Sequence, residues 1–313
     1  MRRLLAMTCG LVLGGALLST ASAEAIATRA SATTSADVDV SSGHRSAKRA
    51  AAFPTARNTG VPRGWSPRRT VNGDYVVRRA GTVVKDLRIN GDLVIAAPNV
   101  TVERTDVVGG QINNWAGSVC QSGLKVRRTT IRRAPGQTTS GDEPTFNAGG
   151  YRAYRVRIDG LPEGFRVGGK DECGPVVIQR SYATVVSPDV CGDWHGDALQ
   201  GYDGGHLTLR TSRLELVERD SCGGTAPFFY PADQGNTRVD IDGLLVEGGG
   251  YSFRLGTPGR VTGLKVVRGG YFYGPIDVKC SVLDEWQAEI VRLDKAGQPV
   301  TLRRQRCNTE GGQ

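Results

Sequence analysis

The densest cluster of chemically active side chains lies between residues 193 and 206. Asp193, His195 and Asp197 occupy positions i, i+2 and i+4, so on a straight strand they would share one face. A histidine beside carboxylates suits a general base near neutral pH. Leu199 has the same parity and should point inward, so we expect a turn near Gly196 that brings His195 and Asp197 to the surface. These three polar residues are our candidate catalytic groups.

The same cluster has a purely structural interpretation. Asp197 could cap a turn, and His195 could tie down a corner of the chain. The spacing alone does not separate the two interpretations, and both stay open at this point.

A second pattern repeats along the chain: an apolar residue followed by a polar or aromatic one. The apolar members are Leu124, Phe165, Leu199, Phe229, Phe253 and Phe272. If these residues stack inward, the residues that follow them form one outward stripe. That predicted substrate-binding stripe consists of Lys125, Arg166, Gln200, Tyr230, Arg254 and Tyr273. Cations, an amide and phenols suit a polysaccharide, especially one that carries carboxylates. A solvated strand face without a ligand is the alternative.

The elements that must position these residues are short strands. Period-two apolar segments recur from residue 76 onward, and helix signals between them are lacking. Glycine makes up 43 of the 313 residues, which disfavours a helical bundle. The shortening distances between the apolar members fit solenoid coils with loop insertions. We therefore predict an all-β protein, a single-stranded right-handed parallel β-helix, with a β-sandwich as the alternative. The first coils should lie at 71–95, and 276–307 should close the other end.

The net charge of +9 lies mostly outside the predicted fold. Removing residues 1–70 leaves 30 basic and 28 acidic residues, because that segment holds ten of the 40 basic and three of the 31 acidic ones. A nucleic-acid-binding domain usually shows a strong basic excess. We therefore expect no nucleic-acid partner.

The N-terminus resembles an export signal. Residues 1–23 combine Arg2 and Arg3, an apolar stretch and an Ala21-Ser22-Ala23 cleavage site. Residues 24–52 are rich in Ala, Ser and Thr without periodicity, which predicts a disordered linker. We expect the β-helix domain to occupy 53–313, and the protein to be secreted, without a membrane partner once the leader is removed.

The cysteines point to disulfides rather than to a metal. An even count after the leader suggests three disulfides in an exported protein. The residues are Cys120, Cys173, Cys191, Cys222, Cys280 and Cys307. Cys280–Cys307 is the favoured pair, and Cys173–Cys191 is a weaker expectation. CxxC is absent from the sequence, so we predict no metal site and no cofactor. Calcium stays open, because carboxylates and carbonyl-rich loops bind it.

At these motifs the chain resembles the pectate-lyase-like right-handed β-helix proteins. It is most similar to an exported group from high-G+C bacteria with two shared motifs. Here they read Pro54…Asn58-Thr59-Gly60-Val61-Pro62 and His195-Gly196-Asp197-Ala198-Leu199-Gln200. The resemblance covers roughly residues 53–310 and implies the fold better than an activity. The Asp-Asp pair and Arg-Ile-Lys of polygalacturonases are missing, as are the Trp-x-Asp-His and Arg-x-Pro-x-x-Arg segments of calcium-dependent pectate lyases.

Two reactions on an extracellular polysaccharide fit these residues. In uronate β-elimination, Arg166, Arg254 or Lys125 would neutralise the carboxylate, and His195 or Tyr230 would take the ring proton. In glycoside hydrolysis, two carboxylates flank the bond. The available pairs are Asp193 with Asp197 and Asp197 with Asp203. The alternative is a monomeric, non-catalytic β-helix that binds glycans or another surface.

Overall fold

A computed structural model describes residues 52–116, 119–141, 144–169, 173–219 and 222–307. These residues belong to one compact unit, Arg49–Gln313. The predicted leader and all of the predicted linker except Ala52 lie outside the described residues.

The described chain is a parallel β-helix whose coils have three strand-bearing faces. Face 1 is a nine-stranded sheet. Its strands are β2 (Tyr75–Val77), β5 (Leu93–Ile95), β8 (Ile112–Asn113), β13 (Phe146–Asn147), β16 (Phe165–Val167), β19 (Asp197–Gly201), β21 (Ala226–Tyr230), β23 (Phe253–Leu255) and β25 (Asp277–Val278). Each strand pairs in parallel with the strands of the neighbouring coils.

Faces 2 and 3 share one larger sheet. Face 2 contains β3 (Val83–Lys85), β6 (Thr101–Glu103), β11 (Leu124–Arg127), β14 (Tyr151–Tyr154) and β17 (Val176–Gln179). Face 3 contains β1 (Arg69–Asn72), β4 (Leu87–Asn90), β7 (Asp106–Val108), β12 (Thr130–Arg132), β15 (Arg157–Leu161) and β18 (Tyr182–Val186). Four long strands run across both faces: β20 (His206–Val217), β22 (Arg238–Glu247), β24 (Gly259–Val267) and β26 (Leu283–Leu293).

The coil repeats in the chain order face 1, face 2, face 3. Parallel crossover connections of this kind are right-handed by general preference. The other elements are a hairpin of β9 (Trp115–Ala116) and β10 (Val119–Cys120), a 3-10 turn Cys280–Val282 and strand β27 (Pro299–Gln305). The strand β27 pairs antiparallel with β26 and ends the described sheet. The predicted fold class is confirmed, and the strands begin at residue 69, close to the predicted 71.

The core is a stack of apolar side chains inside the coils. Strand alternation turns every second residue inward, where it meets the equivalent residue of the next coil. Phe146 and Phe165 have ring centroids 5.7 Å apart, and Phe228 and Phe253 stack at 4.5 Å. Leu199 lies between these two pairs in the register. Because each coil buries its apolar face only against its neighbours, the stacking holds the faces in register.

The corner between faces 2 and 3 has a repeated backbone conformation. Positive φ recurs there at Asp86, Arg104, Arg128, Arg155 and Arg180, with values from 46° to 56°. This region of φ is uncommon for residues other than glycine, so its repetition reflects a requirement of the turn. Each of these residues donates its N–H to a carbonyl in the next coil, at 2.9–3.2 Å. The corner therefore stacks as regularly as the strands.

An N-terminal arm, residues 52–67, crosses face 3. At one end the Phe53 backbone N–H donates to Gln298 Oε1 at 2.8 Å. The Phe53 side chain packs against an outer apolar cluster that includes Val291. At the other end Trp65 Nε1 donates to Asp86 Oδ1 at 3.2 Å. Between them Gly60 donates to the Arg155 carbonyl at 2.8 Å. The Pro54–Pro62 motif thus belongs to a segment that joins the last described coil to the first ones.

Three disulfides join the six cysteines. Cys280–Cys307 is confirmed, with a Cα–Cα distance of 5.9 Å. The predicted Cys173–Cys191 pair is wrong, because Cys173 bonds Cys120 and Cys191 bonds Cys222. In a solenoid the spatial neighbour of a residue lies one coil further along the chain. Loop insertions make the number of residues in each coil unequal, so the spacing of the cysteines does not identify the pairs. Three disulfides indicate an oxidising environment. No helix in the described ranges is long and apolar enough to cross a bilayer.

Candidate functional site

A polar groove lies on the outer surface of face 1. Consecutive strands place Arg166, Gln200, Phe229 and Arg254 directly beside one another, one residue per coil. Neighbouring strands are about 4.8 Å apart, so these four side chains form one continuous row. The groove has a volume of about 460 Å³. The other residues that line it are His195, Asp197, Tyr202, Thr225 and Gln234.

Three members of the predicted stripe lie in this row: Arg166, Gln200 and Arg254. Tyr230 does not, because Phe228, and not Phe229, pairs with Leu199 inside the core. The one-residue difference turns Phe229 outward and Tyr230 inward. Tyr230 is fully buried, its hydroxyl donates to the Gly205 carbonyl, and burial raises its pKa well above the usual value. Tyr230 is therefore a core residue and not a base.

Lys125 lies on a different side of the coil. Its neighbour Leu124 belongs to β11 on face 2 and pairs with Tyr151 of β14. On face 1 the stacked position before Phe165 is Phe146. The prediction that Lys125 joins the stripe is wrong, because faces 1 and 2 carry the same alternation and the sequence does not distinguish them.

Tyr273 lies in a loop rather than on a strand. It is 72% exposed, and its neighbour Phe272 is 81% exposed. The two rings are 4.9 Å apart, and Tyr273 also contacts Tyr251 at 5.7 Å. The Arg254 guanidinium lies over both the Tyr251 ring at 5.8 Å and the Phe229 ring at 5.0 Å. An aromatic patch of Tyr251, Phe272 and Tyr273 therefore continues the row at its Arg254 end.

The two arginines of the row have different electrostatic environments. Arg254 Nε donates to Asp277 Oδ2 at 2.9 Å, and Asp277 is nearly buried. Within the described part of the chain, the Arg166 guanidinium has no carboxylate within ion-pair distance. Between them Gln200 donates to Gln234 Oε1 at 3.2 Å. Arg166 is thus the cation that is best placed to receive an anionic group from outside.

The predicted catalytic residues separate into exposed and buried groups. His195 is exposed at the groove, and its Nε2 lies 3.1 Å from Asp193 Oδ1. Asp193 is almost fully exposed and does not line the groove. Asp197 lines the groove but is only 1% exposed, and its Oδ1 accepts from the Ala226 N–H at 3.0 Å. This contact joins Asp197 to the start of β21 in the next coil, which differs from the predicted cap of a turn.

The segment before β19 explains why His195 points outward. The Trp194 side chain is buried, and its Nε1 donates to the Pro162 carbonyl at 3.0 Å. The Trp194 ring packs so closely on Gly196 that a Cβ there would overlap it. With Trp194 fixed inside, the next residue, His195, is directed to solvent. This arrangement provides the change of direction predicted near Gly196.

Sequence reasoning missed several groove residues. The sequence pattern predicts Phe229 in the core. Tyr202 and Gln234 follow strand ends and Thr225 precedes β21, where the alternation gives no direction. Glu163 was also missed; it is 2% exposed, and its Oε1 accepts from the Asp197 N–H at 3.3 Å. Glu163 lies outside any motif, so the sequence gives no signal that its carboxylate is buried beside a predicted site residue.

Across the described ranges, no group of three or more His, Cys, Asp or Glu side chains is arranged to hold a metal ion. The expectation of no metal and no cofactor stays a prediction, and calcium binding stays open. Comparisons with protein-family models, curated proteins and solved structures found no match to this chain.

Proposed function

We propose that this protein is exported and binds a uronate-containing polysaccharide along face 1. The observation that carries the proposal is the in-register row of Arg166, Gln200, Phe229 and Arg254, continued by exposed aromatic rings. The predicted leader, the three disulfides and the pectate-lyase-like motifs support an extracellular role.

The row matches the chemistry of an acidic glycan. Arg166 and Arg254 are three coils apart, roughly 14 Å along the axis, which accommodates a short run of sugar rings. Arginine holds a carboxylate through two parallel hydrogen bonds. The face of Phe229 and the rings of Phe272 and Tyr273 offer apolar surfaces for sugar C–H groups. Amide groups of Gln200 and Gln234 suit sugar hydroxyls.

The binding proposal is tested with polygalacturonate and neutral dextran. Phe229→Ala and Arg166→Gln should each weaken polygalacturonate binding about ten-fold, equivalent to ~1.4 kcal/mol. Arg268→Gln, an exposed arginine after the end of β24, is the matched control and should bind like the wild type. Thermal unfolding confirms that each variant is folded. Unchanged binding by Phe229→Ala at high salt, where exposed charges elsewhere on the protein are screened, would show that face 1 is not the glycan site.

A second candidate function is β-elimination on the bound glycan. His195 favours it, because this exposed imidazole lies at the groove with a carboxylate 3.1 Å from Nε2. Arg166 would neutralise the uronate carboxylate, and the imidazole would take the ring proton next to it. The C–H electron pair then forms the ring double bond, the neighbouring C–O bond breaks, and the leaving oxygen takes a proton from water. Hydrolysis is less supported, because both proposed carboxylate pairs require the buried Asp197.

The elimination proposal is tested by ultraviolet absorbance of unsaturated products from polygalacturonate. His195→Ala should abolish the signal while it preserves binding, since the imidazole is exposed and not part of the row. Binding without any unsaturated product from the wild type would leave the protein a binding module. Product formation by His195→Ala at the wild-type rate would exclude His195 as the base.

A further inference from the structure

Face 2 carries a dense group of cations that the face 1 site does not use. We call it the arginine surface. It consists of Lys125, Arg127, Arg128, Arg152, Arg155 and Arg180. The first four side chains are exposed, and the last two are half-buried. The surface spans the coils of β11, β14 and β17.

The backbone holds these cations at regular intervals. Lys125 and Arg152 are direct register partners on β11 and β14. Arg128, Arg155 and Arg180 occupy the same corner of three successive coils, each with positive φ. Adjacent coils are about 4.8 Å apart. The corner row therefore places three positive charges at that interval along the β-helix axis, and the strand row places two, since Val177 follows Arg152 in the register.

The arginine surface lacks internal neutralisation. In the described ranges, none of its six cations forms an ion pair. By contrast, Arg104, at the same corner one coil earlier, donates to both Asp86 oxygens at 2.8 Å. Glu103 is the register partner of Arg127 and lines the same depression, but its carboxylate already contacts Lys85 and Arg104. Asp242 faces Arg210 beyond the other border. Like charges this close repel one another, and an anionic ligand would relieve that repulsion.

The surface is also concave. A depression of about 490 Å³ lies among its side chains. Its lining includes Lys125, Arg127, Arg128, Arg152 and the Tyr154 ring. The Arg155 guanidinium lies 5.6 Å from the centre of the Tyr154 ring, which holds the cation against the sheet. The depression gives an extended ligand a defined track.

We infer that the arginine surface binds a linear polysaccharide that carries an anionic group on each repeat, aligned with the β-helix axis. Evenly spaced cations on a sheet face match charges repeated along a stiff chain. Single-stranded nucleic acid is less suited, because such sites stack several bases on aromatic rings, and among the described residues Tyr154 is the one aromatic residue that lines this depression. This site is separate from the face 1 row.

The test compares two triple variants of equal charge. Arg127→Gln/Arg128→Gln/Arg152→Gln removes three cations of the arginine surface. Arg268→Gln/Arg292→Gln/Lys295→Gln removes three exposed cations near the C-terminal coils as the control. The probes are dextran sulfate, polygalacturonate, neutral dextran and a single-stranded DNA of mixed sequence, each titrated at low and high salt. Thermal unfolding checks the fold of both variants.

The arginine-surface variant should bind dextran sulfate or polygalacturonate at least ten-fold more weakly than the control variant at low salt. Wild-type binding at this surface should weaken steeply as salt rises, because it rests on exposed charges. Which of the two acidic glycans binds more tightly distinguishes a sulfate from a carboxylate ligand. Equal binding by both triple variants would overturn the proposal. DNA bound more tightly than either acidic glycan would overturn the assignment to a polysaccharide.

The result is distinguishable from the face 1 test. The Phe229 contribution to binding on face 1 should persist at high salt, since ring stacking is not screened, whereas the Arg166 contribution weakens there. Loss of the arginine surface therefore leaves the high-salt binding unchanged, and Phe229→Ala leaves the salt-sensitive part unchanged.

Discussion

Faces 1 and 3 are built from the same coils, but their polar side chains have different partners. On face 3, Asp106 is nearly buried and accepts hydrogen bonds from Arg88 and Arg132, each at 3.0 Å. Further along, Lys265 contacts Glu289 at 2.6 Å. On face 1, Arg254 pairs with the nearly buried Asp277, but Arg166 has no carboxylate partner in the described ranges.

The N-terminal arm sharpens this difference. It covers part of face 3, where Phe53 packs on outward apolar residues such as Leu245 and Val267. Face 1 is not crossed by the arm. A solenoid face that is internally paired and covered serves the scaffold, whereas an uncovered face with unpaired groups can serve a ligand. The comparison is consistent with the proposed binding sites on faces 1 and 2.

The largest expected effect comes from breaking the pairing on face 3. Arg213 bonds Glu215, contacts Glu247 at 3.3 Å and donates to the Gly297 carbonyl at 3.1 Å. Because Glu215 is also largely buried, Arg213→Ala leaves its carboxylate without a cation, with hydrogen bonds from the Tyr182 and Thr184 hydroxyls, and should lower the free energy of unfolding by about 3 kcal/mol. Urea unfolding measures this loss.

The matched variant on face 1 is Arg166→Ala, which should change the free energy of unfolding by less than about 0.5 kcal/mol. Similar losses for the two arginines would contradict the distinction between the two faces.

A smaller effect is expected where the arm crosses face 3. Gly60 has a φ of +70°, and an added Cβ would overlap Thr130 Oγ1 and approach the Arg157 Cβ to 3.0 Å. Gly60→Ala should therefore cost about 2 kcal/mol and loosen the arm. Limited trypsin digestion at Arg57 and Arg63, both exposed, measures that loosening.

Gly64→Ala is the control within the arm. Its φ is +73°, but an added Cβ there meets nothing within 4 Å. It should cost about 1 kcal/mol and leave trypsin cleavage nearly unchanged. Equal cleavage of the two variants would show that the Gly60 contact does not hold the arm.

The smallest expected effect is a loss of thermal stability at acidic pH. A hydrogen bond from Arg104, with a second from Trp65 of the arm, holds the pKa of Asp86 below its usual value although burial opposes the shift. A carboxyl with a lowered folded-state pKa contributes stability above about pH 4 and loses it as the pH falls further. The wild type should therefore lose more thermal stability from about pH 5 to about pH 3 than Asp86→Asn does. An equal loss of melting temperature in the wild type and in Asp86→Asn over this pH range would contradict this role.

The fold was readable from the sequence because alternation and repetition depend on local residues. Cys280–Cys307 was predictable for a similar reason, since both cysteines lie in the closing segment. The site was only partly readable. Pro227, Phe228, Phe229 and Tyr230 form an apolar run in which strand parity is ambiguous, so the sequence placed Tyr230 outward. A one-residue error of this kind exchanges the core with the surface.

Other errors arose because the sequence does not show which coils become neighbours. Leu124-Lys125 and Phe165-Arg166 have the same local pattern, yet they lie on different faces. Asp197 has a polar side chain in a conspicuous motif, but the Ala226 N–H donates to one of its carboxylate oxygens, and the side chain is buried. Burial and choice of face depend on which coil becomes the neighbour.

The position of the arm also implies an order in which parts of the fold form. Phe53 and its partner Gln298 are 245 residues apart. A growing chain therefore makes Phe53 early and its docking place late, so this end of the arm stays undocked until the last described coils form, whereas Gly60 and Trp65 dock on earlier coils. Such a distant closure is slow compared with the addition of one coil to the next. The final locking of this molecule belongs to the time after its synthesis is complete, and until then the apolar strip over Val291 lies open to solvent and to other chains.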